Sequence, residues 1–316
     1  MIFLSLAQGS GIPPEGETFT EVRESSEFLY DPGGDCPELR LPGDETLVYR
    51  ASIELTFVKC SVGTVTQTCK VVPYRSSVLL RDPSGPAEGQ NTAVIRLRAR
   101  GDYSLYSIDS TIETRILPQA WPRILHHVSD EGTEKRSREV MLGLRGDDPM
   151  SSYRKDTDKG APKGTRIWKE PKLRSVPEGT LDLLTAVYHT RKLIRDGLAS
   201  VSFPLLDKDC LWEMTLLRGE RRTMETPAGS FHVVEVSLQP KPYPGESISA
   251  KKVQKFEGIL GLNGAIHLWV EARTGIPVRI EGDLPVGPIT LGIDVVLSDF
   301  AGTPARFRPL PEQERK

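Results

Sequence analysis

Six apolar side chains at alternate positions, Leu47, Tyr49, Ala51, Ile53, Leu55 and Phe57, constrain the fold of this chain more than any other feature. Val48, Arg50, Ser52, Glu54, Thr56 and Val58 fall between them and are mostly polar. Alternation with a period of two places one set on each face of a strand, so the stretch predicts a strand with one buried face. The pattern recurs. In "AVIRLRARG" Ala93, Ile95 and Leu97 oppose Arg96, Arg98 and Arg100; in "IPVRIEG" Ile276, Val278 and Ile280 oppose Arg279 and Glu281. "GPITLGIDVVLSDF" sets Ile289, Leu291, Ile293, Val295 and Leu297 to one side. Turn residues rather than helices separate these segments, which points to an antiparallel sandwich or barrel.

One segment departs from the pattern. In "GTLDLLTAVYHTRKLIRDG" Leu181, Leu184, Val187, Tyr188 and Arg191 follow a three–four spacing, which predicts a helix capped by Thr180 and closed by Gly197. The expected class is therefore mainly β, an antiparallel half-open β-barrel with one covering helix. Residues 45–300 form its single domain, and residues 1–44 read as an extended leader that begins with a clipped signal peptide. The charged, Pro- and Gly-rich stretch 145–179 reads as a loop insertion and residues 301–316 as a disordered tail.

The chain has 316 residues and a net charge of −2, with neither the basic excess nor the stripe that a nucleic acid would require. No run is long and apolar enough to cross a bilayer as a helix. The four cysteines, Cys36, Cys60, Cys69 and Cys210, contain no C-x-x-C pair, and their disulfide pairing stays open. Cys60 and Cys69 could join only if a hairpin turned near Gly63.

No constellation reaches the standard of an active site. Ser249-Ala250-Lys251-Lys252 and Arg273-Thr274-Gly275 resemble an acylating serine motif, but they lie too close together and in the wrong context. His126 and His127 are adjacent on a strand and point to opposite faces, which prevents joint metal ligation. His189 is expected on the helix surface, Asp207 and Asp209 in a turn, and Asp156, Asp158 and Gly160 in a solvated loop rather than a calcium site. Thr226-Pro227-Ala228-Gly229 fits a tight hairpin turn, with Pro setting φ and Gly supplying its positive value. The chain is thus read as non-enzymatic, without cofactor or metal.

Four stretches taken in order carry a resemblance: "ETLVYRASIELTFVKCSVGTVT", "LDLLTAVYHTRKLIRDG", "TPAGSFHVVEV" and "LWVEARTGIPVRIEG". Together they are similar to the bacterial domain-of-unknown-function family numbered 3108. More distantly they resemble the periplasmic lipoprotein-carrier half-barrels, whose concave face lies under helix and holds acyl chains. The resemblance implies an uncharacterised, exported, periplasmic or envelope-associated protein. Its expected partner is a lipid or other apolar or amphipathic ligand, or an envelope protein that it helps to assemble, with Leu184, Tyr188, Trp212 and Trp269 as cavity candidates. A structural or protein-interaction β-module without a small ligand is the alternative. A hydrolase built on Ser249 or on Asp207 and Asp209 is the third reading.

Overall fold

The structure is a computed structural model that describes residues 41–55, 58–73, 91–103, 106–116, 124–133, 135–145, 148–157, 167–246, 256, 258, 261–286 and 289–311. Seven strands come first: β1 (Asp44–Leu55), β2 (Val58–Pro73), β3 (Asn91–Tyr103), β4 (Tyr106–Ile116), β5 (Ile124–Glu131), β6 (Lys135–Arg145) and β7 (Asp148–Lys155). A short β8 (Lys172–Ser175) and the helix α1 (Leu183–Arg195) follow. Six more strands complete the fold: β9 (Ser200–Asp207), β10 (Cys210–Thr226), β11 (Gly229–Pro242), β12 (Asn263–Glu271), β13 (Pro277–Val286) and β14 (Ile289–Ala301).

All fourteen strands belong to one antiparallel sheet in the order β8-β7-β6-β5-β4-β3-β2-β1-β14-β13-β12-β11-β10-β9. The two halves of the chain are meanders joined where β1 pairs with β14, so the strand with the clearest alternation sits at the centre. Its inward residues continue sideways through the ladder. Leu47 faces Gln67, Gln67 faces Leu97, Leu97 faces Ile112, and Ile112 faces Val128. In the other direction Ala51 faces Val295, Val295 faces Ile280, Ile280 faces Leu268, and Leu268 faces Val236. A sheet this wide must curl, and here its two ends approach each other. Lys172 and Arg174 of β8 reach the β9–β10 turn at Asp209, and Arg174 also pairs with Glu246 beyond β11. The barrel is not closed by a strand ladder: β8 and β9 remain its two edges. Leu181 covers part of the β9 edge with two backbone bonds, Leu181 N to Pro204 O and Leu206 N to Leu181 O. Covering an edge in this way blunts its tendency to pair with another chain.

The helix lies inside the curl. Asp182 caps it, accepting from the Thr185 N–H while the Thr185 hydroxyl bonds back to the Asp182 amide in a capping box. Thr180, the expected cap, instead gives its hydroxyl to Pro177 O at 2.6 Å. Buried residues occur all round the helix, His189 and Thr190 among them, because the sheet wraps it rather than offering one flat face. The β12–β13 turn presses on its last turns. Gly275 has φ 71° and its carbonyl accepts from the Thr190 hydroxyl at 2.9 Å. A Cβ there would lie 2.6 Å from Arg191 Cα. Gly275→Ala is therefore expected to destabilise the fold by about 2–4 kcal/mol, combining left-handed strain with overpacking; thermal unfolding of the variant checks it.

The ends of the chain need correction. Phe307 is buried at 3% exposure, stacked on Phe231 at 5.1 Å and edge-on to Phe300 at 4.8 Å. Leu310 N donates to Ser230 O, so the segment after β14 packs as far as residue 311 where a disordered tail from residue 301 was expected. Apolar residues three apart among prolines and arginines gave no periodic signal. Within 145–179, the expected loop insertion contains β7 and β8, whose Ser, Tyr and Lys content hides the alternation. Residues 158–166 and most of the leader lie outside the described residues. Cys60 and Cys69 sit on the single strand β2, too far apart to bridge at about 3.3 Å per residue, and both are free thiols. Cys36 lies outside the described residues.

Candidate functional site

Polar contacts fasten the helix at both ends to the inward face of the sheet. At its start, Asp182 accepts from the Thr114 hydroxyl of β4 and from His126 Nδ1 of β5, the latter at 2.7 Å. Burial by itself would raise the Asp182 pKa. The donors from His126, Thr114 and Thr185 outweigh it and hold the carboxyl below its ordinary range. At the other end, Arg191 Nη2 donates to Glu45 Oε1 of β1 at 2.5 Å, and its guanidinium lies 4.5 Å from the Tyr188 ring centre. Gln67 Nε2 donates to the Tyr188 hydroxyl at 3.1 Å, and that hydroxyl points on to Glu45 Oε1 at 3.4 Å. Burial pushes the Tyr188 hydroxyl well above its usual range, and Cys69 and Glu45 add to the effect. The Cys69 thiol is pushed up to about 12, by burial foremost and then by Glu45, so it stays protonated and unreactive at neutral pH.

Between these anchors His189 is sealed in. Its ring lies tilted against Phe203 of β9, ring centres 4.8 Å apart, and neither ring nitrogen has a partner among the described residues. Burial, then the charges of Lys192 and Arg195, lowers its pKa to about 4. It was expected on the helix surface, and the enclosing sheet is the reason it is not. An unfolded histidine takes up its proton near pH 6.5. The folded chain resists until about pH 4. The favourable balance is thus complete above pH 6.5 and lost as the pH falls through that window. The loss amounts to about 3 kcal/mol. His189→Phe should abolish this part of the pH dependence, read as the difference between variant and parent in denaturant stability at pH 7.5 and pH 4.5.

Of the four cavity candidates, Trp269 is set on the other face of the sheet from Trp212. Leu184 and Tyr188 are on the helix and Trp212 is on the inward face of β10, where it packs against Phe256 at 5.3 Å. Trp269 is on the opposite face. Its neighbours in β12, Leu268 and Val270, face the core residues Val236 and Val234, whereas Trp269 itself sits across from Glu235 and Arg279. Trp269 Nε1 donates to Glu281 Oε2 at 3.0 Å, and Arg222 covers the ring at 3.4 Å. Side chains on that face, Glu281 and Arg222, thus help to cover it. Sequence reasoning missed Thr114, His126, Asp182, Glu45 and Arg191. For Glu45, Thr114 and His126 the only signal was a polar residue at an inward register position, which becomes visible once strand pairing is known; Asp182 and Arg191 belong to the helix and its cap, and only their partners on those strands mark them.

The other motifs resolve simply. Asp207 pairs with Cys210 around a tight turn in which Lys208 takes φ 57°. Thr226 pairs with Gly229 (φ 121°), leaving Pro227 and Ala228 as the turn. The Glu271 carboxylate accepts from the amides of Arg273 and Thr274, which makes that motif a turn clamp. Ser249, Asp158 and Gly160 lie outside the described residues. Among the described residues no group of three or more His, Cys, Asp or Glu is placed to hold a metal. No described helix is long and apolar enough to cross a membrane.

At the seam between β8 and the β9–β10 turn opens a cleft of about 450 Å³, lined by Ser151, Tyr153, Lys172, Leu173, Arg174, Ser175 and Asp209. Its rim cations are already neutralised: Lys172 bonds Asp209, and Arg174 pairs with Glu246.

Fold and site together define a mainly antiparallel, half-open barrel with a helix held inside it by polar anchors. The sequence profile of a family of proteins of unknown function, DUF3108, matches residues 87–294, more than half of the chain, and the chain belongs to that family. The match leaves out β1 and β2, the strand pair that holds Glu45 and Gln67. Two solved structures are similar. A β-barrel-like protein of the domain-of-unknown-function family DUF1849 from Brucella abortus has 11% identity and a TM-score of 0.49, over 82% of this chain and 97% of that one. A protein with a YmcC-like fold from Bacteroides fragilis has 11% identity and a TM-score of 0.29, over 82% and 95%. At those scores the fold rests on the strand ladder itself. No curated protein matches the chain.

Proposed function

We propose that this chain is an exported, non-catalytic envelope protein that holds an apolar or amphipathic, lipid-like ligand against the inward face of its half-open barrel. The observation that carries the reading is the unclosed seam: β8 and β9 do not pair, and a cleft opens between them. From that cleft an apolar row leads inward, Tyr153 facing Val140, with Leu142 and Val128 beside it. The helix packs chiefly on β9, β10 and β4. The absence of a reactive thiol at Cys69 and the structural use of Asp207, Asp209 and Glu271 support a non-catalytic role. Native mass spectrometry after gentle purification from the source envelope tests the proposal. A lipid-sized adduct that exchanges with added lipid is expected; a chain that is always empty and takes up no lipid removes the reading.

A second reading, a module that binds a protein partner, is favoured by one outward row. Met141 faces Ser152 and Ser152 faces Leu173, at the β8 edge, with Met141 39% and Leu173 61% exposed. Exposed apolar residues beside a free strand edge suit strand addition by another chain.

A further inference from the structure

The inward row behind the seam cleft is packed. Tyr153, Val140 and Leu142 are all buried, so a ligand reaches that row only if part of the wall moves. The wall is weakest at the seam. β8 is laddered to β7 from Ser175 opposite Met150 to Lys172 opposite Tyr153, and Val176 N extends the hold to Pro149 O at 3.1 Å. On its other side β8 is an edge, with no strand partner among the described residues.

Two unlike devices hold β8 to the far side of the seam. At one end the chain itself crosses. Val176 is still bonded to β7, and Leu181 is already bonded to β9 through Pro204 and Leu206. Pro177, Glu178, Gly179 and Thr180 make the crossing as a turn, in which the Thr180 hydroxyl donates to Pro177 O. Gly179 takes φ 72° there, with open space where a Cβ would point. A few loop residues of this kind are enough to absorb the backbone rotation of a hinge. At the other end the hold is ionic. Lys172 Nζ donates to Asp209 Oδ2 at 2.6 Å, Arg174 Nη1 donates to Asp209 O at 2.9 Å, and Arg174 pairs with both carboxylate oxygens of Glu246. Both acceptors stand on tight turns, Asp209 after Lys208 at φ 57° and Glu246 with its N–H on Tyr243 O at 2.9 Å. The Lys172 side chain is 68% exposed and that of Arg174 27%, so dissolved ions screen these pairs. Lys172, Arg174 and Asp209 themselves line the cleft, together with Ser151 and Tyr153 of β7.

We propose that β8, carried with the edge of β7, is a hinged flap: Pro177–Thr180 is its hinge, and Lys172 and Arg174 on Asp209 and Glu246 are an ionic latch whose release opens the inward row. The proposal rests on reading the inward face as the ligand site, for which the flap is the entrance. The β7–β8 ladder stays intact as the flap swings, and no covalent bond is made or broken.

The test puts a reporter thiol on the inward row of the full chain. Val140→Cys is close to isosteric and lies across from Tyr153; Ser151→Cys, in the cleft wall, is a second reporter should the first fold poorly. Alkylation by iodoacetamide, followed by peptide mass spectrometry, then measures opening without any ligand. Native Cys69, fully buried near the middle of the sheet, labels when the whole fold opens and so serves as the control. Glu246→Gln, and separately Arg174→Gln, should raise the reporter's labelling rate about tenfold with Cys69 unchanged, the scale of one hydrogen bond between charged groups. Sodium chloride at about 1 M should speed labelling in the parent latch and do less in the two variants. Stopped-flow uptake of the apolar fluorophore phenylnaphthylamine should quicken in step. Labelling that ignores the latch, or that rises only together with Cys69, overturns the proposal; if the chain still takes up the fluorophore, the lipid-binding reading stands without it. Labelling that follows the latch in a chain that takes up no fluorophore supports the flap and removes the lipid-binding reading.

Discussion

Arg191→Met is expected to lower the stability of the fold by about 3–5 kcal/mol, the range for removing one partner of a buried ion pair. The reason lies at the other end of the bond. Glu45 is 0% exposed, and its Oε2 already has no partner among the described residues. With Arg191 gone, Glu45 Oε1 keeps only the long contact from the Tyr188 hydroxyl. A buried carboxylate left in that state must either take up a proton or draw water into the barrel. The pair also raises the Arg191 pKa against the effect of burial, with Glu45 as the main cause, so the guanidinium stays charged in the native state. Replacing both residues, Arg191→Met with Glu45→Met, should recover most of the loss, because no uncompensated charge then remains. Denaturant unfolding of the two single variants and the double variant supplies the comparison. Equal losses in the single and double variants would show that side-chain packing, not charge pairing, carries the contact.

Phe307→Ala should cost about as much, roughly 3–5 kcal/mol, the usual range for truncating a buried phenylalanine. Phe307 lies between Phe231 at the start of β11 and Phe300 at the end of β14. The segment that carries it runs on to Leu310, which bonds the β11 backbone at Ser230. Arg273 of the β12–β13 turn also reaches the carbonyl of Arg308 at 3.4 Å. Residues 303–311 thus join the far ends of β14, β11 and the β12–β13 turn. Cutting the chain after Gly302 should destabilise at least as much as the point substitution, measured by the same unfolding curve.

The parts of this fold that sequence could supply are those governed by local periodicity. Alternation in β1, β3, β13 and β14 was legible because each strand has one face against the core and one towards solvent. The three–four spacing of Leu184, Val187, Tyr188 and Arg191 gave the helix. What the helix buries was not legible, since a helix enclosed by a curled sheet can seal His189 and Thr190 as fully as Leu193. The choice of Asp182 over Thr180 as cap was hidden as well. Either residue type can cap, and the outcome follows from long-range partners, Thr114 and His126, that lie 56 or more residues away. Trp269 shows the same limit. Its parity against Leu268 and Val270 was visible, but the identity of its face depends on Glu235 and Arg279 in the paired strands. β7 and β8 escaped notice because Ser151 and Arg174 occupy inward positions that a core pattern would fill with apolar residues.

The most direct measurement of the central claim is site-specific photocrosslinking with benzoylphenylalanine in place of Tyr153 on the inward row, and separately in place of Leu173 on the outward row. Irradiation in the native envelope followed by mass spectrometry identifies what each position touches. A lipid-sized adduct at position 153, with none at position 173, is the predicted result. Protein adducts at position 173 with no small adduct at position 153 would contradict it and favour the partner-binding module.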